Sequence, residues 1–147
     1  MEPTPLFAFG VAADVQYADK EDEVKEDTVK YYRGSLNKFE ECVHTWNSTP
    51  LAFTIHLGDI IDGNTTQEQT EKELDTILSV FKSIKHPHYH VVGNHCLKLQ
   101  REVLLSKLQL NPHHTYYEFS VKEHPHFKFL VLDGTDVSTY GWPEDSP

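Results

Sequence analysis

Apolar positions along the chain follow two periods. Residues 6–13 form a short apolar run without strict alternation, the pattern of a strand covered on both faces. Residues 51–56 form a second such run, and Tyr89, Val91 and Val92 mark a third strand with Pro87 at its first position. Between the runs the period becomes helical. Gly34-Ser35 offers a break and an N-cap, and Leu36, Phe39, Val43 and Trp46 predict a helix over 36–46. Thr65 with Glu68 fits a capping box. Leu74, Ile77, Leu78 and Phe81 then give one apolar face to a helix over 67–82. A third helix is predicted over 97–108, with Val103, Leu104, Leu105 and Leu108 inward. Two β-rich runs, 115–121 and 127–132, are joined by the polar Lys122-Glu123-His124-Pro125-His126 and read as a hairpin. The alternation predicts an α/β fold, βαβαβα followed by a β-hairpin, with a largely parallel sheet.

Each predicted strand of that sheet ends in polar chemistry. The first ends in Asp14-Val15-Gln16, whose side chains at two-residue spacing point the same way in an extended segment. The second ends in Gly58-Asp59-Ile60-Ile61-Asp62-Gly63. There the glycine lets backbone pass close to an ion or phosphate, and Asp62 can orient the ligands or the turn. The third ends in Gly93-Asn94-His95. An Asn oxygen can ligate a divalent ion, and an adjacent His can donate a proton or bind a phosphate oxygen. Acidic turns after strands are ordinary taken singly. In a parallel sheet, however, all three ends face one edge, where open α/β folds bind ligands. Metal-ligand types at every such end favour a metal site.

Composition narrows the partners. The chain has 147 residues, enough for one domain, and a formal charge of -10. That charge argues against nucleic acid or an anionic membrane as partner. An anionic substrate needs local positive charge, which bound metal can supply. Cys42 and Cys96 give no disulfide framework, so reduced thiols and an intracellular, cytoplasmic protein are expected. The two Asn-x-Thr matches at Asn47 and Asn64 are then chance. No signal peptide is visible, and no segment approaches the roughly 20 apolar residues of a membrane span. Residues 19–27, dense in charge, read as a solvated loop or exposed helical face. His86, His88 and His90 alternate along the third strand, but Tyr89, Val91 and Val92 favour an ordinary strand over a metal motif. A metal-storage role for the 10 histidines is poor, since they are scattered and lack zinc-site spacing. Asp133 closes the last run as a turn residue.

The ordered set Asp14-x-Gln16, Gly58-Asp59-x-x-Asp62 and Gly93-Asn94-His95 resembles the calcineurin-like metallophosphoesterases. Gln16, where most members carry His, and Gly58-Asp59-Ile60-Ile61-Asp62-Gly63 look like the manganese-dependent ADP-ribose/CDP-alcohol diphosphatase branch. The resemblance implies two divalent ions, Mn2+ by preference, and a small nucleotide substrate hydrolysed at its phosphoanhydride. By position, Asp14 and Gln16 would ligate one metal and Asp59 would bridge both. Asn94 would bind the second, and His95 would act on the phosphate.

The departures are specific. The residue after Gly93-Asn94-His95 is usually acidic in the family and is Cys96 here, read as a small buried residue. The family's later histidines include a Gly-His-x-His pair, and no Gly-His-x-His occurs in this sequence. Glu123-His124-Pro125-His126 has the spacing without the glycine and is not taken as a substitute. The chain is therefore expected to be the N-terminal part of one metallophosphoesterase domain, the N-terminal half of its sandwich. It is also expected to lack several ligands, and to be impaired, or to be a non-catalytic nucleotide- or metal-binding fragment or short isoform. Self-association through the exposed sheet is a further expectation. The tail from Thr139 carries no signal of a domain end.

Overall fold

The computed structural model describes residues 4–139, and the tail from Tyr140 lies outside them. Three short strands, β1 (Gly10–Ala12), β4 (Thr54–His56) and β5 (His88–His90), form a parallel sheet in the order β1-β4-β5. Its register pairs Gly10 with Thr54, and Thr54 with His88. Helices α1 (Gly34–Asn47) and α2 (Gln67–Phe81) supply the crossovers. The hairpin β6 (Tyr117–Val121) and β7 (His124–Val131) is antiparallel. The βαβ order and the parallel sheet agree with the sequence pattern.

The sheet's two faces bury different chemistry. Phe53, Ile55 and Tyr89 meet the hairpin, where Phe53 lies 4.7 Å from Phe129 and Tyr89 stacks on Phe119 at 3.5 Å between ring centroids. Aromatic pairs of this kind contribute roughly 0.5–1.5 kcal/mol each beyond the area they bury. The opposite face presents Thr54, His56 and His90 to α1 and α2, with Phe81 edge-on to His56 at 5.7 Å and to His90 at 4.7 Å. The larger core under the helices gathers Phe39, Val43, Trp46, Leu74 and Ile77 with Ile60, Ile61, Leu104 and Leu105.

Four local expectations are corrected. Residues 19–27 are not simply a loop: Glu23–Lys25 (β2) and Thr28–Lys30 (β3) make a two-stranded ribbon turning at Glu26, whose φ is +44°. The helix predicted over 97–108 is split into a 3-10 turn, His95–Lys98, and α3, Arg101–Lys107. The break lies at Leu99 and Gln100, both extended in ψ. There Gln67 reaches over from α2, donating to the Lys98 carbonyl at 2.5 Å and accepting from the Gln100 N–H at 3.0 Å. Those bonds substitute for helical ones. The caps also shift. α1 starts at Gly34 with no side-chain cap, Ser35 Oγ instead donating to the Tyr32 carbonyl at 2.7 Å. Thr66, not Thr65, caps α2 by accepting from Gln69 N–H at 3.2 Å. Finally, His124 and His126 lie on β7 rather than in the turn, because a bulge between Ser120 and Val121 lets the second strand begin early.

His56 and His90 each leave one ring nitrogen buried without a partner among the described residues. His56 Nδ1 accepts from Gly58 N–H at 3.2 Å, so its proton sits on Nε2. Burial, reinforced by His90, pushes His56 down to about 3, and burial, reinforced by His88, pushes His90 down to about 4. Both are neutral in the fold and charge readily once unfolded. The unfolded chain therefore binds more protons below its ordinary value near 6.5, and stability falls as pH drops from there toward 4. The expected slope is about 1.4 kcal/mol per pH unit for each histidine. Thermal melts across that window should show it, and His90→Gln should remove about half.

Candidate metal centre

The parallel register brings the three carboxyl ends of β1, β4 and β5 to one edge, and backbone bonds lock them there. Leu57 N–H donates to Ala12 O at 2.8 Å, Asp14 N–H to Gly58 O at 3.2 Å, and Gln16 N–H to Asp59 O at 2.9 Å. Val91 N–H donates to His56 O at 2.8 Å from the other side. Three of the five described non-glycine residues with positive φ are Asp14 (+54°), Gln16 (+46°) and Asp59 (+52°). Such left-handed conformations cost free energy outside glycine and cluster at functional sites. Here they turn the chain away from the sheet after β1 and after β4.

Two glycines make the close approach possible. Gly58 has φ +105°, and a Cβ there would lie 3.0 Å from Gly93 Cα. A Cβ on Gly93 would lie 2.2 Å from both Asp59 N and Asp59 Oδ1. Asp59 is thus threaded past bare backbone, and its Oδ1 accepts the His95 N–H at 2.8 Å. Its Oδ2 has no hydrogen-bond partner among the described residues, nor do the side chains of Asp14, Gln16 and Asn94. Four oxygen-donor side chains on one edge, lightly used by the protein itself, suit a hard divalent ion. The donors are two carboxylates and two amides. Among the described residues there is no group of three or more His, Cys, Asp or Glu placed to hold an ion.

Asp62 lies beneath this edge, 2% exposed. It accepts from Lys20 Nζ at 2.5 Å and from Lys30, and its Oδ1 lies 3.1 Å from His95 Nδ1. Burial alone would raise its carboxyl, but the bonds from Lys20 and Lys30 outweigh that and hold it below the usual carboxylate range. His95 Nδ1 also lies 3.4 Å from the Asp62 carbonyl oxygen, so both polar groups of Asp62 hold that side of the ring and Nε2 is left for an incoming oxygen.

The sequence candidates divide. Asp14, Gln16, Asp59, Asn94 and His95 come to the one edge. His86 instead bonds the Trp46 carbonyl at 3.0 Å, and His90 packs on Phe81. His124 bonds the Leu6 carbonyl at 3.0 Å, far along the hairpin. Asp133 caps its turn by accepting from Thr135 N–H at 3.0 Å and pairs with Arg101. Cys96 is fully buried, and burial raises its thiol, so it is not a nucleophile. A cavity of about 650 Å³ near His88, His90 and Tyr117 contains none of the strand-end donors. Lys20, Lys30 and Lys98 were invisible to motif reading. The one signal was the alternation Glu23-Val24-Lys25 and Thr28-Val29-Lys30 around Glu26-Asp27, which is a hairpin pattern.

A family model described as calcineurin-like phosphoesterase matches residues 7–145. The chain is 42% identical to a manganese-dependent ADP-ribose/CDP-alcohol diphosphatase from Arabidopsis thaliana, over 97% of its own length and 47% of the relative's. It is 36% identical to the human protein of the same name, covering 97% and 47%. A crystal structure of a dimetal phosphatase from Danio rerio superposes with a TM-score of 0.82 at 35% identity, covering 97% of this chain and 49% of that one. The chain spans about half the length of the curated relatives it matches.

Gly93→Ala tests the close approach directly. The added carbon must displace Asp59, and the variant is expected to lose about 1–3 kcal/mol of stability in urea titrations. Hydrogen exchange at the His95 amide should accelerate; unchanged exchange would show that the glycine contact does not hold Asp59.

Proposed function

The chain belongs to the calcineurin-like phosphoesterase family, and from that premise we propose that its strand-end edge is the metal half-site of a manganese-dependent nucleotide diphosphatase. The observation that carries this reading is the convergence of Asp14, Gln16, Asp59 and Asn94, oxygen donors from three separate strand ends. Asp14 and Gln16 would hold one ion, Asp59 would bridge two, and Asn94 would take the second. A divalent pair, when bound, supplies positive charge to a phosphoryl group and lowers the pKa of water. The chain's own residues orient and neutralise. Asp59 is fixed by His95 N–H, and His95 is held at Nδ1 by Asp62, so that a ring protonated on both nitrogens can donate from Nε2 to a phosphoryl or leaving-group oxygen. The substrate class is the phosphoanhydride of ADP-ribose, CDP-choline and related compounds, as the relatives' names suggest.

A second reading has its own observation. The chain covers about half of its relatives, and it contains no Gly-His-x-His. It would then bind metal or nucleotide without turnover. We place the chain as the N-terminal part of a single metallophosphoesterase domain, acting in the cytoplasm. Its cysteines, Cys42 and Cys96, are both free thiols, which supports a reducing compartment. No helix among the described residues is long and apolar enough to cross a membrane. Exposed Val11 on β1, Leu130 on β7 and Leu132 just after it support self-association of this chain through the open sheet.

The test is Mn2+ binding by electron paramagnetic resonance, with ADP-ribose hydrolysis measured on the same samples. Asp59→Ala is expected to weaken Mn2+ binding by about 10–100-fold or more and to remove any hydrolysis. Equal Mn2+ binding by both proteins would overturn the metal assignment. Metal binding without hydrolysis would favour the second reading.

A further inference from the structure

The charge around Asp62 does not balance. Its one carboxylate is contacted by Lys20 at 2.5 Å, by Lys30, and by Lys98 at 3.9 Å. Three ammonium groups face this one carboxylate, in a chain whose formal charge is -10. The neighbouring carboxylates are engaged elsewhere. Glu23 pairs with Lys25 at 3.0 Å, and Asp19 pairs with Arg33 at 2.7 Å. Glu73 accepts Asp19 N–H at 2.8 Å and Asn64 at 2.7 Å. One lysine would neutralise a buried aspartate, so three exceed what burial of Asp62 requires.

These lysines are held in place yet reachable. Lys20 Nζ also donates to the Gly63 carbonyl at 3.1 Å and lies 4.2 Å from the Tyr32 ring centroid; Lys30 lies 5.3 Å from the same centroid. Their side chains, with that of Lys98, stay 30%, 36% and 48% exposed. The group adjoins the candidate metal edge on two sides. Lys30 shares a cavity of about 650 Å³ with Asp14 and Gln16. Lys98 shares one of about 800 Å³ with Asn94 and His95.

We propose that Lys20, Lys30 and Lys98 form an anion seat that takes the second phosphate group of a diphosphate ester, while the strand-end donors, once they hold divalent ions, would take the first. The identity of the occupant rests on the diphosphatase reading; the seat itself rests on the lysines. Three ammonium groups around a single carboxylate beside a phosphate site favour a diphosphate over a monophosphate.

The experiment is calorimetric titration of inorganic pyrophosphate, and separately of orthophosphate, into the full chain in EDTA. Pyrophosphate is expected to bind more tightly than orthophosphate and to weaken with added salt. Lys20→Gln, Lys30→Gln and Lys98→Gln are each expected to weaken it by about 3–10-fold. Lys98→Gln guards against misfolding, because Lys98 is the most exposed of the three and the farthest from Asp62. No pyrophosphate binding by the unaltered chain, or undiminished binding by Lys98→Gln, overturns the seat. Mn2+ titration of the same protein separates the two ideas. Mn2+ binding without pyrophosphate binding overturns the seat alone. Lysine-dependent pyrophosphate binding without Mn2+ binding supports the seat and overturns the diphosphatase reading.

Discussion

The structure depends on one close approach: the backbones of Gly58 and Gly93 meet, and the Asp59 carboxylate lies in the gap. Parallel pairing delivers the strand ends to one edge but leaves them a strand spacing apart, about 4.8 Å. Bringing a carboxylate from the middle strand under the backbone of its neighbour needs the space a Cβ would fill. Once Asp59 is there, His95 N–H binds it and the following 3-10 turn is anchored. Left-handed backbone at Asp14, Gln16 and Asp59 costs on the order of 1 kcal/mol or more apiece. The inter-loop bonds Asp14 to Gly58 and Gln16 to Asp59 return a similar amount, about 1 kcal/mol each. The edge is held by its neighbours rather than by local preference.

Asp62 is the second organising point. It is three residues from Asp59, yet it faces inward and gathers four groups from three segments: Lys20, Lys30, and His95 and Lys98 from one 3-10 turn. The β2–β3 ribbon carries Lys30 and has little apolar anchorage, with Val24 and Val29 both exposed. Its tie to the body runs through Lys30 to Asp62 and through Tyr32, which is buried against Lys20 and Lys30. The loop that shapes one side of the cleft is thus fastened by charge, and the sheet beneath it by aromatic packing.

Much of the frame was legible in the sequence. Parallel strands read as unbroken apolar runs because both faces are covered, and their ends then bring Asp14, Gln16, Asp59 and Asn94 to one edge without any side-chain geometry. What escaped depends on distant partners. The third helix has good helical spacing, and only Gln67, on another helix, divides it. Lys20 and Lys30 lie in an acidic stretch, and their partner is 42 and 32 residues away. The cap of α2 at Thr66 and the start of α1 at Gly34 differ from the expected positions by one and two residues, the usual uncertainty where a helix frays. His56 and His90 look like ligands by type, but strand alternation sends them under the helices, where neutrality is enforced.

Charge placement bears on how an acidic chain would take the anionic ligand proposed above. A net charge of -10 repels phosphate at long range, but that repulsion is screened within about 8–10 Å at ordinary salt. Inside that distance only local groups count. At the strand edge Asp14 and Asp59 are themselves negative, so they cannot attract phosphate until divalent charge reverses their sign. The lysines around Asp62 carry their positive charge already. The cleft therefore has one region whose sign depends on what it binds and one whose sign is built in, with His95 between them, bonded through its backbone to Asp59 and through its ring to Asp62. That single residue joins the two regions, so the orientation of its ring depends on both the glycine gap and the lysine-held carboxylate.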